Sequence, residues 1–389
     1  AICRDTPDAH PVLIVAGPSI DIPPELAPFS ASIELALPSP DELIELVGAE
    51  ARDWGRASGQ RVRMDDGIVR ALVRNLAGIS LVEARRLVRS AICDDGVLCE
   101  GDLPRVMDAK CQLLNQDGVL SFELDTAKFD QVAGLSRLKR WLAQREKVFL
   151  ANKPPPGLDP PKGLLLLGVQ GGGKSLAAKA VAGSWRIPLL RLDFGTLYNK
   201  YYGETERNLR EALKTAELMA PCVLWIDEIE KGISSGREAD DGPGRRVLGT
   251  LLTWMAERRA PVFLVATAND IESLPPELLR KGRFDEIFFV DLPGEAVRAE
   301  IFRIHLRRRE QDPAAFDCAA LAAACEGFTG AEIEQAVVSA LYSAYAADKA
   351  LRTAHIQAEI GLTRPLSVVM AEKVGALRRW AARRTVPAD

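Results

Sequence analysis

The segment GVQGGGKS, Gly168 to Ser175, has the residue types and spacing to hold a chain of phosphates. Its glycines let successive backbone N–H groups turn inward, and a helix starting at the end of the loop adds the positive end of its dipole. Lys174 is placed to reach the β- and γ-phosphates, and the Ser175 hydroxyl to ligate Mg²⁺. The second set of reactive groups is Asp227 and Glu228, where Asp227 would hold the metal, through water or Ser175, and Glu228 would polarise an attacking water. Asn269 supplies an amide that can orient that water or sense the γ-phosphate. The chemistry expected is hydrolysis of a nucleoside triphosphate.

These groups work only if particular elements position them. The loop follows an apolar run, Leu164 to Leu167, and precedes a helix-forming stretch, Leu176 to Val181, the strand–loop–helix order that phosphate binding requires. A second apolar strand, Val223 to Ile226, ends in Asp227, and a third, Val262 to Ala266, leads to Asn269. A carboxylate at the carboxyl end of a buried strand lies in the crevice where open α/β sheets bind ligands.

Together these residues resemble the AAA ATPases over roughly Phe129 to Leu341. FDQVAG, from Phe129, is similar to the family's opening motif beside the adenine, which implies contacts from Asp130, Val132 and Gly134. GVQGGGKS and VLWIDE look like its two Walker motifs, so Gly171, Gly172, Gly173, Lys174, Ser175 and Leu176 would surround ATP. Asn269 matches its sensor-1 residue, and LLRKGRFDE, from Leu278, its arginine-finger segment, making Arg280 and Arg283 the fingers. His305, with Gly330 and Ala331 of GFTGAE, falls where the family's helical lid touches the nucleotide, and no sensor-2 arginine stands at the GA position. Intervening segments, among them RRVLGTLLTWM and the tail RPLSVVMAEKVGALRRWAARRTVPA, resemble one subfamily, the hypothetical chloroplast reading-frame (Ycf) AAA proteins, also found in cyanobacteria and other bacteria.

The resemblance implies an assembly. In this family the arginines enter the neighbour's site, and a head-to-tail interface closes into a ring, usually a hexamer. KYYGETE, Lys200 to Glu206, then stands where threading AAA proteins project an aromatic–apolar–glycine triplet into the pore, matched by Tyr201, Tyr202 and Gly203. Tyrosine rings can grip an extended polypeptide with little dependence on sequence; the alternative is that both pack in the core. SSGREADDGPG, Ser234 to Gly244, is either a second pore loop or a solvated surface loop. The expected partners are further copies of the chain and a protein substrate or adaptor. A nucleotide-gated scaffold without threading, and a nucleic-acid motor, are the rival functions.

Composition sets bounds on these functions. A net charge of −4, from 50 Lys and Arg against 54 Asp and Glu, provides no basic footprint for nucleic acid, which is not expected as a partner. No apolar run approaches the length of a membrane span. The seven cysteines form no C-x-x-C pair, and with three histidines a zinc site is not expected. This usage fits a reducing compartment, so a cytoplasmic location is expected. The first residues show no basic-then-apolar leader pattern, but Ala1 is not an initiator methionine, so a segment can precede it.

An internal echo sets the domain plan. Val12 to Pro38 repeats the pattern of Val262 to Pro293, including the tetrapeptide Pro-Pro-Glu-Leu, and LAGISLVEARRLV (Leu76 to Val88) falls where CEGFTGAEIEQAV (Cys325 to Val337) would repeat. The first copy lacks the chemistry: its sensor position falls near Ser19, and no arginine stands between Leu26 and Ile33. The expected fold is therefore α/β: a P-loop AAA module, a parallel sheet flanked by helices, with a small α-helical lid, preceded by a partial, degenerate AAA-like α/β module. Its expected bounds are a degenerate module at 1–115 (strand remnant 1–47, helical lid 67–115), a linker with a short strand at 116–128, the large ATPase domain at 129–293, the lid at 294–350 and a tail at 351–389. The tail helix carries Leu366, Met370, Val374, Leu377 and Ala381 at helical spacing, with Ser367 as its cap, and is expected to pack on the lid or, alternatively, on a neighbouring subunit.

Overall fold

The structure, a computed structural model, describes residues 14–15, 22–23, 25–31, 33, 37–93, 96–99, 101–114, 119–151, 155–199, 205–233, 243–280 and 282–389. Residues 1–37 and 38–389 form separate units. The second unit opens with α1 (Pro40–Ser58), where Ser39 Oγ accepts from the Glu42 N–H and the Glu42 carboxylate accepts from the Ser39 N–H, closing a capping box. After β1 (Arg63–Met64) come α2 (Asp66–Leu76), α3 (Leu81–Cys93), β2 (Val97–Leu98), paired parallel to β1, and α4 (Asp102–Leu114). The four helices bury Leu43, Leu72, Leu76, Val88 and Ile92 in one core. The expected strand remnant to residue 47, with a lid starting only at 67, is therefore corrected: residues 40–47 are helix. The reason is local, because Leu43, Leu46, Val47, Glu50 and Ala51 are the buried positions and share one helical face behind a complete cap.

The chain continues through β3 (Leu120–Phe122), α5 (Ser136–Phe149), β4 (Gly163–Gly168), α6 (Lys174–Trp185), β5 (Leu189–Leu192), α7 (Phe194–Asn199) and α8 (Thr205–Leu218). Next are β6 (Cys222–Ile226), α9 (Ile229–Ile233), α10 (Pro243–Glu257), β7 (Val262–Ala268) and β8 (Glu286–Val290). These strands, with β9 (Val386–Pro387), order as β3-β5-β6-β7-β4-β8-β9, parallel except for β3. The expected linker thus donates an antiparallel edge strand to the sheet, with Leu120 opposite Leu192.

Strands β4, β6 and β7 are buried along their whole length and are apolar apart from Thr267 near the end of β7, as expected of strands covered on both faces. Alternation sends Leu164 and Leu166 towards α5 and α6, where Trp185 lies 4.8 Å from the Phe263 ring. Leu165 and Leu167 face the opposite core with Leu209 and Leu213 of α8 and Leu251 of α10. The register aligns Ile226 and Leu165 with Ala266 of β7 between them, so the carboxyl ends of three strands meet beside the phosphate loop.

The lid comprises α11 (Glu295–Arg308), α12 (Cys318–Ala324), α13 (Gly330–Ala346) and α14 (Thr353–Leu362). Ile356 and Ile360 of α14 belong to its core, so it runs past the expected limit of 350. The tail meets the expected lid packing only at its start, where the Leu366 N–H donates to Glu332 of α13 at 2.6 Å. It forms α15 (Leu366–Val369) and α16 (Ala371–Ala381), preceded by Pro365 and Met370, and Ser367 caps neither. Leu377 and Ala381 enter the core of the large domain with Leu278 and Phe289, and Arg378 holds Asp291 through Nη2 and Nε, each 2.8 Å from Oδ1. An amphipathic helix is satisfied by any apolar surface; the open edge of β8, which β9 fills, directs this one to the sheet.

The two four-helix groups are built alike. α1 and α4 each pack on α2 and α3, just as α11 and α14 each pack on α12 and α13. Ser80 and Glu83 exchange hydrogen bonds at the start of α3 as Thr329 and Glu332 do at the start of α13. Gly78 (φ 86°) and Gly327 (φ 79°) stand two residues before those caps in the left-handed region. About half of the echo in residues 12–38 lies outside the described residues. Among the described residues no helix is long and apolar enough to cross a membrane.

Candidate active site

The phosphate loop is a short chain of glycine-permitted turns between β4 and α6. Gly171 (φ 77°) and Gly173 (φ 93°) adopt left-handed backbone, and Lys174 begins the helix. Lys174 is buried, and its Nζ donates to Gly168 O (2.9 Å) and Val169 O (2.8 Å), so the loop folds around its own cation. Burial pushes that amine down to about 8, against the opposing pull of Glu230, Asp227 and Glu228. Ser175 Oγ lies 3.3 Å from Asp227 Oδ1.

Thr267, at the end of β7, ties the acidic pair together. Its hydroxyl donates to Asp227 Oδ1 at 2.5 Å and accepts the Glu228 N–H at 2.9 Å. Glu228 has φ 48°, left-handed for a residue with a side chain, which turns its carboxylate away from the strand direction. Its Oε1 accepts from Asn269 Nδ2 at 2.8 Å, and its Oε2 pairs with Lys231. Glu230 is buried behind them: one oxygen accepts the Asn269 N–H at 2.9 Å, the other has no hydrogen-bond partner, and burial raises its pKa.

These groups line a cleft of about 450 Å³ that is also lined by the apolar side chains of Val132, Leu135, Leu176, Val297, Ile301 and Ile304. The lid closes it through His305, Gly330 and Ala331, and the Ala331 N–H donates to Gly171 O of the phosphate loop at 3.3 Å. Burial holds the His305 imidazole below its usual range; Glu334, 3.5 Å from Nδ1, pulls the other way.

Most of the expected residues converge here: Val132, Gly171, Gly172, Gly173, Lys174, Ser175, Leu176, Asp227, Glu228, Asn269, His305, Gly330 and Ala331 all line the cleft. Asp130 does not; it is exposed on a turn, and its neighbour Gln131 lines the cleft instead. Gly134 does not line the cleft but stands beside it, against Asp389. Arg280 and Arg283 lie outside this chain's own cleft, Arg280 exposed and Arg283 donating to Glu277 O at 2.8 Å. Tyr201, Tyr202 and Gly203, and residues 234–242 of the acidic loop, fall outside the described residues. Three residues had no motif to announce them: Thr267, Glu230 and Asp389. For Thr267 the available signal was its place just beyond the third apolar run; Glu230 and Asp389 carried none.

The donor set fits ATP with Mg²⁺. A buried lysine and inward-turned glycines suit phosphates, and Ser175 with Asp227 offers two oxygens to a cation. Among the described residues no group of three or more His, Cys, Asp or Glu is set to hold a metal. Mg²⁺ bound mainly by phosphates and water needs no such cage.

The profile of the ATPase family associated with various cellular activities (AAA) matches residues 164–292, and that of the SpoVK-like AAA ATPase second domain matches residues 41–117. The chain is 38% identical over 371 residues to the AAA domain-containing protein ycf46 of Pyropia yezoensis, covering 95% of this chain and 74% of that protein. The chain belongs to the AAA ATPases, in the ycf46 group. A second relative of this AAA ATPase, the ycf46 protein of Gracilaria tenuistipitata var. liui, is 37% identical over 387 residues, 98% of this chain and 77% of that protein. The proteasome-activating nucleotidase of Aeropyrum pernix is 38% identical over 226 residues, 56% of this chain and 54% of that protein. This AAA ATPase is an ATP-hydrolysing enzyme with an α/β P-loop domain.

Proposed function

We propose that this AAA ATPase hydrolyses ATP at sites shared between subunits of a ring, and that the ring remodels or threads a protein substrate. The observation that carries the reading is the position of Arg280 and Arg283, which do not line the cleft that holds Lys174, Ser175, Asp227 and Glu228. A γ-phosphate in that cleft gains Lys174 from its own chain and the two arginines from a neighbour. Arginines supplied in trans contribute on the order of 10³–10⁵ in rate in GTPase systems.

In this site Glu228, aimed by its left-handed backbone and held by Asn269, accepts the proton of a water that attacks the γ-phosphorus in line. The new oxygen–phosphorus bond forms as the bond to the β–γ bridging oxygen breaks, and Lys174 stabilises the charge on the departing ADP. Ser175 and Asp227 would hold a Mg²⁺, which would supply positive charge to offset that of the phosphates. Tyr201, Tyr202 and Gly203 are the proposed substrate grip, and residues 38–114 are read as the lid of a degenerate first module, on the strength of the helix pairings and caps they share with residues 295–362.

The test is ATP turnover against protein concentration, for the natural chain and for Arg283→Ala mixed with Glu228→Gln. These defects lie on opposite sides of one proposed interface. Specific activity that rises with concentration, and partial rescue in the mixture, are expected. Turnover independent of concentration, without rescue, means a self-contained site and ends the ring reading. Threading is tested separately: Tyr201→Ala with Tyr202→Ala keeps ATP turnover and abolishes substrate unfolding.

A further inference from the structure

The cleft carries one charged group that arrives from far along the chain. β9 lies beside β8, the Ala388 N–H donates to Phe289 O (2.9 Å), and Ala388 O accepts the N–H groups of Arg137 (3.0 Å) and Leu138 (3.1 Å). Ala388 is buried. The next residue, Asp389, is thereby pinned at the rim of the cleft, which it lines together with Val132, Leu135 and Val297. Its Oδ1 accepts the Ser136 N–H at 2.9 Å, at the start of α5. Its Oδ2 lies beside Gly134, 2.8 Å from where a Cβ there would stand. A second carboxylate, Glu300 on the lid helix α11, accepts the Gly134 N–H at 3.4 Å, a longer bond than the one from Ser136 to Asp389.

We infer that Asp389 is a base-reading residue: its carboxylate accepts a hydrogen bond from the exocyclic amine of adenine and rejects guanine. Phosphates occupy the Lys174 end, so the base lies between Val132, Leu135 and Val297, next to Asp389. Adenine presents an N–H donor at its six-position. Guanine presents a carbonyl oxygen at the same place, and a carboxylate facing a carbonyl is two acceptors with no proton between them. Specificity of this kind comes from the partner left unpaired in the wrong complex. The inference rests on the cleft being the ATP site.

The experiment compares kcat/KM for ATP and GTP in the full-length chain and in Asp389→Ala and Asp389→Asn. A lost charge-assisted hydrogen bond of the usual strength predicts that the ATP-over-GTP preference falls roughly ten- to hundredfold in Asp389→Ala, mainly through KM for ATP. Asp389→Asn retains an acceptor for the Ser136 N–H and so keeps the start of α5, while its amide can donate to the guanine oxygen; GTP use rises. Equal losses for ATP and GTP in both variants mean that Asp389 only caps α5, and overturn the inference. Lys174→Ala separates the two levels: if it leaves ATP affinity intact, the cleft is not the ATP site, whatever Asp389 does.

Discussion

Asn269 Nδ2 donates to Glu228 Oε1 across 2.8 Å, so the residue just beyond β7 holds the residue just beyond β6. The second Glu228 oxygen pairs with Lys231, and its backbone N–H is held by Thr267. The proposed general base is thus fixed at three points, two of them from the neighbouring strand. Glu228→Gln removes the proton acceptor and is expected to lower turnover by about 10²–10⁴. Asn269→Ala removes one hydrogen bond to a charged group, about 1.5–3 kcal/mol, and lowers kcat by roughly ten- to hundredfold. Steady-state hydrolysis alongside binding of a fluorescent ATP analogue checks both, with binding retained in each.

Lys174 sets a pH dependence of nucleotide affinity. Burial holds its amine at about 8 in the free chain. Phosphate oxygens favour the ammonium, so the pKa is higher in the complex. Below pH of about 8 the lysine is protonated in both states and affinity is flat. Above it, binding must take up a proton, and affinity falls by up to about tenfold per pH unit until the bound pKa is reached. Calorimetric titration of an ATP analogue in two buffers of different ionisation enthalpy measures that uptake directly.

The tail helix is held by burial rather than by its ion pair. Leu377 is 8% exposed in the core of the large domain, so Leu377→Ala is expected to cost about 2–5 kcal/mol. Arg378 and Asp291 are 46% and 42% exposed, and Arg378→Ala is expected to cost at most about 1 kcal/mol. Urea unfolding of the two variants tests the order. A larger loss for Arg378→Ala would mean that the docking is electrostatic.

Gly78 packs closely between the first helical group and the ATPase domain. A Cβ there would stand 2.0 Å from Leu218 O at the end of α8, and the backbone has φ 86°. Gly59, with φ 72°, has open space around it. Gly59→Ala therefore carries the left-handed cost alone, roughly 1–2 kcal/mol, while Gly78→Ala adds a backbone clash to a similar cost. Limited proteolysis is expected to release the helical group in Gly78→Ala and not in Gly59→Ala.

The large domain was legible in advance because its signals are local. An all-apolar β4, three glycines and the start of α6 are consecutive, so their geometry follows from neighbours in the chain. Asp227 and Glu228 were legible for the same reason, as charges that end the buried strand β6. The first helical group is recognisable by its repeat, but the expected strand remnant to 47 overlaps the start of α1 and the expected lid begins only at 67. The capping box of Ser39 and Glu42 and the spacing of Leu43, Leu46 and Val47 were the overlooked signs.

The amino-acid sequence by itself determined the phosphate loop, the strand-end acids and the repeat of helices, since each depends on periodicity and on residues a few positions apart. Only the tertiary structure decided that α16 lies on the sheet and not on the lid, because an apolar stripe records that it must be covered and not by what. Only the tertiary structure brought Asp389 to Ser136, 253 residues away, and set both beside the cleft. Contacts over that distance are chosen by which edge of the sheet is open and which backbone groups lack partners, and those vacancies exist only once the rest of the domain has folded.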